Sequence, residues 1–142
     1  MIIKGKCNEN ADVWIAARVI DVHTGLALAS ADYVDPSTMT VYDLASQTPT
    51  TNIKSGNATL LTHAAIFTDV ASLPNNDARW TIDGTGPNIS IVLLQADITA
   101  GSKFRAGRTY RAELTLNHVT TGYSDSYIIW ELACGNALNT VT

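Results

Sequence analysis

Hydrophobic and polar residues alternate along much of this chain with the two-residue period that places successive side chains on opposite faces of a β-strand. Residues 108–119 show this period most clearly, because apolar and polar side chains take strict turns there. The turn at residues 120–122 and the alternating segment at residues 127–133 then predict a hairpin with a partner strand. The side chains expected to face the core are Tyr110, Ala112, Leu114, Leu116, Ile128, Trp130 and Leu132.

Five further segments have the composition of strands, and turn residues such as glycine, proline or aspartate separate most of them. They cover residues 13–22, 26–33, 38–44, 78–82 and 88–98. The first and the last of these are apolar on both faces, which predicts central, fully buried strands. The turn at residues 23–25 contains Gly25, which supplies the positive φ of a tight hairpin.

The segments between the strands contain few helix signals. Residues 45–56 are polar and include Pro49, which predicts a long surface loop, and residues 68–77 predict a second loop. Residues 57–67 fit either a strand or one short helix. The sequence therefore predicts an all-β fold, an antiparallel Ig-like β-sandwich of seven to nine short strands with little or no helix. The tryptophans expected in its core are Trp14, Trp80 and Trp130.

Length and composition narrow the function classes. The 142 residues are enough for one domain, residues 1–142, with a short polar C-terminal tail at about residues 135–142. Threonine occupies 18 positions, charged residues are only 15% of the chain, and the net charge is −4 without a basic block, which disfavours nucleic-acid binding. The longest apolar run, residues 91–94, predicts no transmembrane segment, and the first residues do not resemble a signal peptide. We therefore expect a soluble protein that is made in a cytoplasm and has no membrane partner.

The two cysteines, Cys7 and Cys134, lie near opposite ends of the chain. Neither belongs to a Cys-x-x-Cys motif or a Cys/His cluster, so a zinc site is not predicted. Two separate thiols are the simpler expectation. A disulfide between them is the alternative, and it requires neighbouring first and last strands together with an oxidising destination.

Titratable side chains form no recognisable catalytic motif. His23, His63 and His118 stand apart from cysteines, from nucleophilic-serine motifs and from one another, so each is expected at the surface or in a turn. Glu113 and Glu131 fall on solvent-facing positions of the last two strands, which indicates ordinary surface charge. We therefore predict a protein that is not an enzyme and that has no catalytic residue, no cofactor and no metal site.

Exposed aromatic rings leave one ligand class open. Small β-sandwiches often bind sugars by stacking them on exposed rings, and Tyr123 and Tyr127 lie at or just after a hairpin turn. Packing in the core is the alternative role for the aromatic residues, because most tryptophan positions alternate with the core face. A carbohydrate-binding module therefore stays an alternative function at this point.

Two stretches of the chain resemble the Ig-like β-sandwich domains of virion proteins from tailed bacteriophages. One is residues 80–86 (WTIDGTG), which precede an apolar strand, and the other is residues 104–114 (FRAGRTYRAEL), which precede the final hairpin. In such domains a Gly-x-x-Tyr segment, here GRTY, opens a strand that pairs with the last strand. An Asp-x-x-Thr-Gly hairpin, here residues 21–25, is also common in them.

This resemblance implies a structural role in a virion, reached after assembly in the host cytoplasm. We expect a capsid decoration (cement) protein that binds the outside of the shell and stabilises it by burying surface across capsomer boundaries. Its expected partners are the major capsid protein or other virion proteins, and a homo-oligomer such as a trimer is a further expectation. A tail or baseplate component, or a host-surface carbohydrate-binding module, is the alternative.

Polar segments expected at the surface are candidates for contacts with the shell or with a second subunit. The predicted loop at residues 45–56 and the two termini provide most of them, and the two tyrosines near the final hairpin add aromatic contacts. The candidate interface residues are Gln47, Thr48, Pro49, Thr50, Thr51, Asn52, Tyr123, Tyr127, Asn139 and Thr142.

Overall fold

The described strands form two sheets. The computed structural model describes residues 2–45, 53, 59–67, 79, 86–94 and 104–135. In chain order the described elements are β1 (Ile2–Asn8), β2 (Val13–Ala17), β3 (Ser37–Asp43), β4 (Thr59–Leu61), α1 (His63–Ile66), β5 (Ile89–Leu93), β6 (Thr109–Leu116) and β7 (Ser126–Gly135). The predicted all-β, sandwich-like fold with little helix is confirmed. No helix in the described ranges is long and apolar enough to cross a membrane.

The larger sheet has the strand order β1-β7-β6-β3-β4, and the smaller sheet pairs β2 with β5. β1 and β7 are parallel, from Ile2 opposite Ile129 to Asn8 opposite Gly135, whereas the other described strand pairs are antiparallel. The prediction of a purely antiparallel sandwich is therefore wrong at this pair. A local pattern does not reveal parallel partners, because a long crossover connection separates them along the chain.

The hairpin of β6 and β7 matches its prediction. The two strands pair from Thr109 opposite Ala133 to Leu116 opposite Ser126, and their predicted core positions are all buried. Near the start of β6, the Tyr110 hydroxyl accepts a hydrogen bond of 2.8 Å from the backbone N–H of Arg105. This tyrosine corner, typical of Greek-key sandwiches, fixes the approach of the chain to β6.

Apolar side chains from the two sheets meet in the core. Trp130 of β7 is buried, and its indole N–H donates a hydrogen bond of 3.1 Å to the carbonyl of Ala16 in β2, which joins the sheets. Trp14 is only half-buried, and the Arg79 guanidinium lies 4.6 Å from the centre of its ring. The prediction of Trp14 as a core residue is wrong, because burial alternates along β2 and Trp14 is on the outer face. Trp80 lies outside the described residues.

The strand predicted at residues 13–22 ends at Ala17, and beyond it exposed side chains alternate with the buried Val19 and Asp21. Strand pairing ends where the buried side chain of Asn88 contacts this segment. Its Oδ1 accepts a hydrogen bond of 2.9 Å from the Val19 N–H, and its Nδ2 donates one of 2.8 Å to the Val19 carbonyl. A side-chain amide thus takes the place of a neighbouring strand at Val19.

The predicted turn at residues 23–25 is confirmed. Gly25 has a φ of +70°, and its N–H donates a hydrogen bond of 2.8 Å to the Asp21 carbonyl. The return strand predicted at residues 26–33 is wrong, since only an isolated bridge between Ile20 and Ala27 forms before a 3-10 turn. The segment instead bonds to the connection after β6, because the Val119 N–H donates to the carbonyl of Asp32.

The remaining predictions have mixed outcomes. The strand predicted at residues 38–44 is confirmed as β3, and the segment at residues 57–67 contains both a strand, β4, and a helical turn, α1.

Two predictions of burial are wrong. β5 is not buried on both faces, because Val92 is 48% exposed. In the predicted surface loop, Ile53 is buried and its N–H bonds to the Val41 carbonyl at 2.8 Å. The other predictions, for the rest of that loop, residues 68–77, 78–82 and 95–98 and the C-terminal tail, fall wholly or mostly outside the described residues.

Candidate functional site

The site is built around Asp21, a buried carboxylate in the turn after β2. Its Oδ1 accepts backbone hydrogen bonds from His23 at 2.6 Å and Thr24 at 3.2 Å, and its Oδ2 accepts one from the Tyr33 hydroxyl. Burial alone raises the pKa of this carboxyl, but the hydrogen bonds from Tyr33, His23 and Thr24 outweigh burial and hold the pKa below its ordinary value. Asp21 therefore stays charged and fixes the shape of the turn.

His118, from the connection between β6 and β7, packs beside this carboxylate. Its side chain is buried, with Nε2 lying 3.8 Å from Oδ2 of Asp21. The Thr120 N–H donates a hydrogen bond of 3.1 Å to Nδ1, so the neutral ring carries its proton on Nε2, which faces Asp21. The prediction of an exposed His118 is wrong, because aromatic rings of neighbouring segments pack against it.

Stacked rings join the two loops at this end of the sandwich. The rings of His23 and Tyr123 are parallel within 12° at a centroid distance of 4.0 Å. Tyr123 and Tyr33 each contact His118 in an edge-to-face arrangement, at 4.6 Å and 5.2 Å. The predicted position of His23 in an exposed turn is confirmed. The stack holds the turn after β2 against the β6–β7 connection.

Around this framework the chain exposes apolar side chains, which we call the hairpin-end surface. Val22 is 82% exposed, Leu26 69%, Ile20 66%, Tyr127 50% and Tyr123 43%. The surface comprises Ile20, Val22, Leu26, Val119, Tyr123 and Tyr127. Sequence reasoning placed the first three in strands of a buried hairpin and therefore missed them.

A groove of about 310 Å³ runs through the hairpin-end surface. One wall is the segment from Val19 to Val22, and the other is the segment from Asp125 to Ile128. The exposed side chains of Ile20, Val22 and Tyr127 line it. Its walls combine apolar side chains with polar groups such as Asp125 and Ser126, a mixture that suits an apolar side chain of a partner, or one sugar ring.

The segments that form this surface carry no cation of their own. Residues 19–45 and 112–135 contain no lysine or arginine. Asp125 is exposed and lines the groove. The hairpin-end surface is therefore apolar with a carboxylate at its groove, and a complementary partner has apolar and basic groups.

Ser37 and His63 form a second buried pair. The Ser37 hydroxyl lies 2.9 Å from Nε2 of His63, and Nδ1 lies 3.2 Å from the carbonyl of Ser30. Because a carbonyl only accepts, Nδ1 carries the proton and Ser37 donates to Nε2. The serine is 2% exposed and the histidine 6% exposed, so this nucleophile–base geometry is closed to substrate. The predicted surface position of His63 is wrong, because its ring is buried between Ser37 of β3 and the carbonyl of Ser30.

A larger groove, of about 550 Å³, lies between β1 and β2. Trp14, Lys4 and Arg79 line it. The Lys4 ammonium is 2.7 Å from the Glu131 carboxylate, and the Arg79 guanidinium covers Trp14. Lys4 and Arg79 thus already have partners within the chain, which makes this groove the weaker candidate site.

The remaining predicted site features are placed as follows. Glu113 and Glu131 are half-buried on β6 and β7, and no group of three or more metal-ligating side chains occurs within the described ranges. Tyr123 and Tyr127 are exposed and belong to the hairpin-end surface. The other candidate interface residues lie outside the described part of the chain, namely Gln47, Thr48, Pro49, Thr50, Thr51, Asn52, Asn139 and Thr142.

Cys7 and Cys134 are both free and buried, as two unbonded thiols. The two residues are nevertheless neighbours, because Cys7 lies directly opposite Cys134 in the parallel pair of β1 and β7.

Comparison with known proteins found no matching family model, no similar curated protein and no similar solved structure.

Proposed function

We propose that this chain is a non-enzymatic virion structural protein of a tailed phage, most simply a capsid decoration protein that binds the outside of the shell. The observation that carries this proposal is the hairpin-end surface. Exposed apolar patches with a polar rim mark protein–protein contacts, because their burial releases ordered water. A chain that exposes such a patch in its described part is suited to assembly onto a larger body.

The framework below the surface supports tight docking. Asp21 holds the turn through three hydrogen bonds, and His23 stacks on Tyr123. A surface that is already ordered loses little conformational entropy on binding, so more of the burial energy contributes to affinity. A stable contact buries about 800 Å² on each partner, and an oligomer such as a trimer multiplies its strength through avidity.

Electrostatics defines the expected partner surface. The exposed Asp125 carboxylate at the groove favours a capsid surface with apolar and basic side chains, and complementary charges accelerate association and fix its orientation. The major capsid protein is the proposed partner, since a repeated shell contact is the means by which a decoration protein resists rupture.

The buried polar groups support a role without catalysis. Ser37 and His63 are sealed, and Asp21 is occupied by the hydrogen bonds that shape the turn. Ser37, His63 and Asp21 thus each have a hydrogen-bonding partner within the fold.

The test is the binding of variants to shells that lack the protein. In the double variant Val22→Lys with Leu26→Lys, two apolar contacts become cations that face a basic partner. We expect the affinity to fall at least about tenfold, which corresponds to about 1.4 kcal/mol. The matched control is Val92→Lys, which changes an exposed valine on β5, and it should bind within about twofold of the wild type. Undiminished binding by the double variant would refute docking through this surface.

A carbohydrate-binding module is the second candidate, and the exposed ring of Tyr127 at the groove favours it. Tyr123 offers only one ring face, because His23 covers the other. If this candidate is correct, Tyr127→Ala abolishes binding to a glycan array while shell association is absent. Association with purified tails instead of shells identifies the tail or baseplate component.

A further inference from the structure

The first and last described strands bring the two cysteines of the chain together. β1 and β7 are parallel neighbours, and their register places Cys7 directly opposite Cys134. Neighbouring strands are about 4.8 Å apart. That spacing lies within the range of about 4.4–6.8 Å between the Cα atoms of disulfide-bonded cysteines.

The orientation of the two side chains satisfies the second requirement of a disulfide. Opposite residues of a strand pair point to the same face of the sheet, and here both thiols point to the buried face, with exposed fractions of 3% and 7%. Both Sγ atoms are therefore on the same side of the sheet, as a bond between them requires.

We propose that Cys7 and Cys134 are a disulfide-forming pair that covalently joins the first strand to the last when the chain meets an oxidant. The inference does not depend on the proposed function. It assigns a covalent modification to two residues that the hairpin-end surface does not use.

The reaction is thiol–disulfide exchange with a low-molecular-weight disulfide. One cysteine thiolate attacks a sulfur of the oxidant, forms a mixed disulfide and releases one thiolate. The second cysteine thiolate attacks the cysteine sulfur of that mixed disulfide, forms the Cys7–Cys134 bond and releases the second thiolate. Two electrons pass from the protein to the oxidant, and the two released thiolates take up the two protons.

Burial determines when the reaction occurs. Burial, together with the neighbouring thiol, raises the pKa of Cys7 to about 12, and burial also raises the pKa of Cys134. The folded protein thus keeps both groups as unreactive thiols. Reaction requires opening of β1, an edge strand of the larger sheet, or an oxidant that is present while the chain folds.

The consequence of the bond is a closed loop that contains most of the chain. Closing so long a loop removes much of the conformational freedom of the unfolded state. We expect the Tm of the oxidised protein to exceed that of the reduced protein by about 10 °C.

The experiment compares refolding of the full chain from denaturant with and without a glutathione redox mixture. The expected product is a monomer lighter by two hydrogen atoms, with a peptide map that joins Cys7 to Cys134 and no reaction with maleimide after denaturation. Persistence of two free thiols in the refolded protein, two stable glutathione adducts, or dimers linked between chains would overturn the proposal.

A single-cysteine variant gives a second, positive readout. Cys7→Ala removes one thiol without leaving an unpaired hydroxyl, and Cys134→Ala is the reciprocal variant. Each should stop at a stable mixed disulfide with one glutathione and show no rise in Tm, because the resolving thiol is missing. An oxidative rise in Tm in either variant would show that the stabilisation does not come from this bond.

Discussion

The hydroxyl of Tyr33 donates a hydrogen bond to the buried carboxylate of Asp21. The hydrogen bond and the charge of Asp21, together with burial, raise the pKa of Tyr33, while the same bond helps to lower the pKa of Asp21. Both shifts keep the tyrosine neutral and the carboxylate charged over a wide pH range. The contact joins the turn that carries the hairpin-end surface to the segment before β3.

Replacing Asp21 tests whether this contact holds the turn. Asp21→Ala leaves the Tyr33 hydroxyl and two backbone N–H groups without their acceptor, so we expect the free energy of unfolding to fall by about 3 kcal/mol. Chemical denaturation at neutral pH measures it. The exposed Asp125→Ala is the matched control and should change stability by less than about 0.5 kcal/mol. Equal effects of the two variants would contradict the structural role of Asp21.

The lowered pKa of Asp21 predicts a loss of stability in acid. Because the folded pKa is below the unfolded value of about 3.9, its contribution is complete above that value and disappears as the pH falls through the folded pKa. Unfolding free energies measured between pH 7 and pH 2 should show the difference between wild type and Asp21→Asn narrowing below about pH 4. A difference that is constant with pH would show that the carboxylate charge is unimportant.

The variant Asn88→Ala tests whether the Asn88 side chain takes the place of a neighbouring strand at Val19. Asn88→Ala removes both hydrogen bonds to the backbone of Val19 and leaves the buried Val19 N–H without its acceptor, while the Val19 carbonyl keeps its hydrogen bond from the Leu28 N–H. We expect a loss of about 2–3 kcal/mol in the free energy of unfolding. Asn117→Ala, at an exposed position, is the control with little expected effect. A neutral Asn88→Ala would indicate that another group supports Val19.

The variant His23→Ala distinguishes the effect of the ring stack on stability from its effect on binding to shells. His23→Ala removes the ring stacked on Tyr123, an exposed contact, so we expect less than about 1 kcal/mol of destabilisation. Because the hairpin-end surface loses its support, binding to shells should fall several-fold. Thermal unfolding measures the stability, and sedimentation with shells measures the binding. Unchanged binding would contradict the proposal that the ring stack orders the hairpin-end surface for docking.

Sequence reasoning succeeded where partners are close along the chain. β6 and β7 alternate cleanly and are joined by one short connection, so their pairing and core faces were predictable. It failed for β1 and β7, because nothing local indicates that strands at opposite ends of the chain are parallel neighbours. The same limit applies to residues 18–22, which have the sequence pattern of a buried strand although β2 ends at Ala17, because the side chain that bonds to Val19 comes from Asn88, far away in the chain.

The contacts between buried polar side chains were also not predictable from the sequence, because they join distant parts of the chain. Asp21 contacts His118, and Ser37 contacts His63, through pairs of residues that lie far apart in the chain. One signal was available, since the Asp-x-x-Thr-Gly pattern places an aspartate where its carboxylate accepts the N–H groups of a tight turn. The ring stack of His23 on Tyr123 had no such signal.

The most direct test of the central claim is the number of copies of this chain in purified particles, measured by quantitative mass spectrometry against the major capsid protein. Shell decoration predicts on the order of hundreds of copies in a fixed ratio, because a symmetric shell repeats each contact many times. A handful of copies would contradict decoration and indicate the tail or neck. Complete absence from the particles would contradict a virion role altogether.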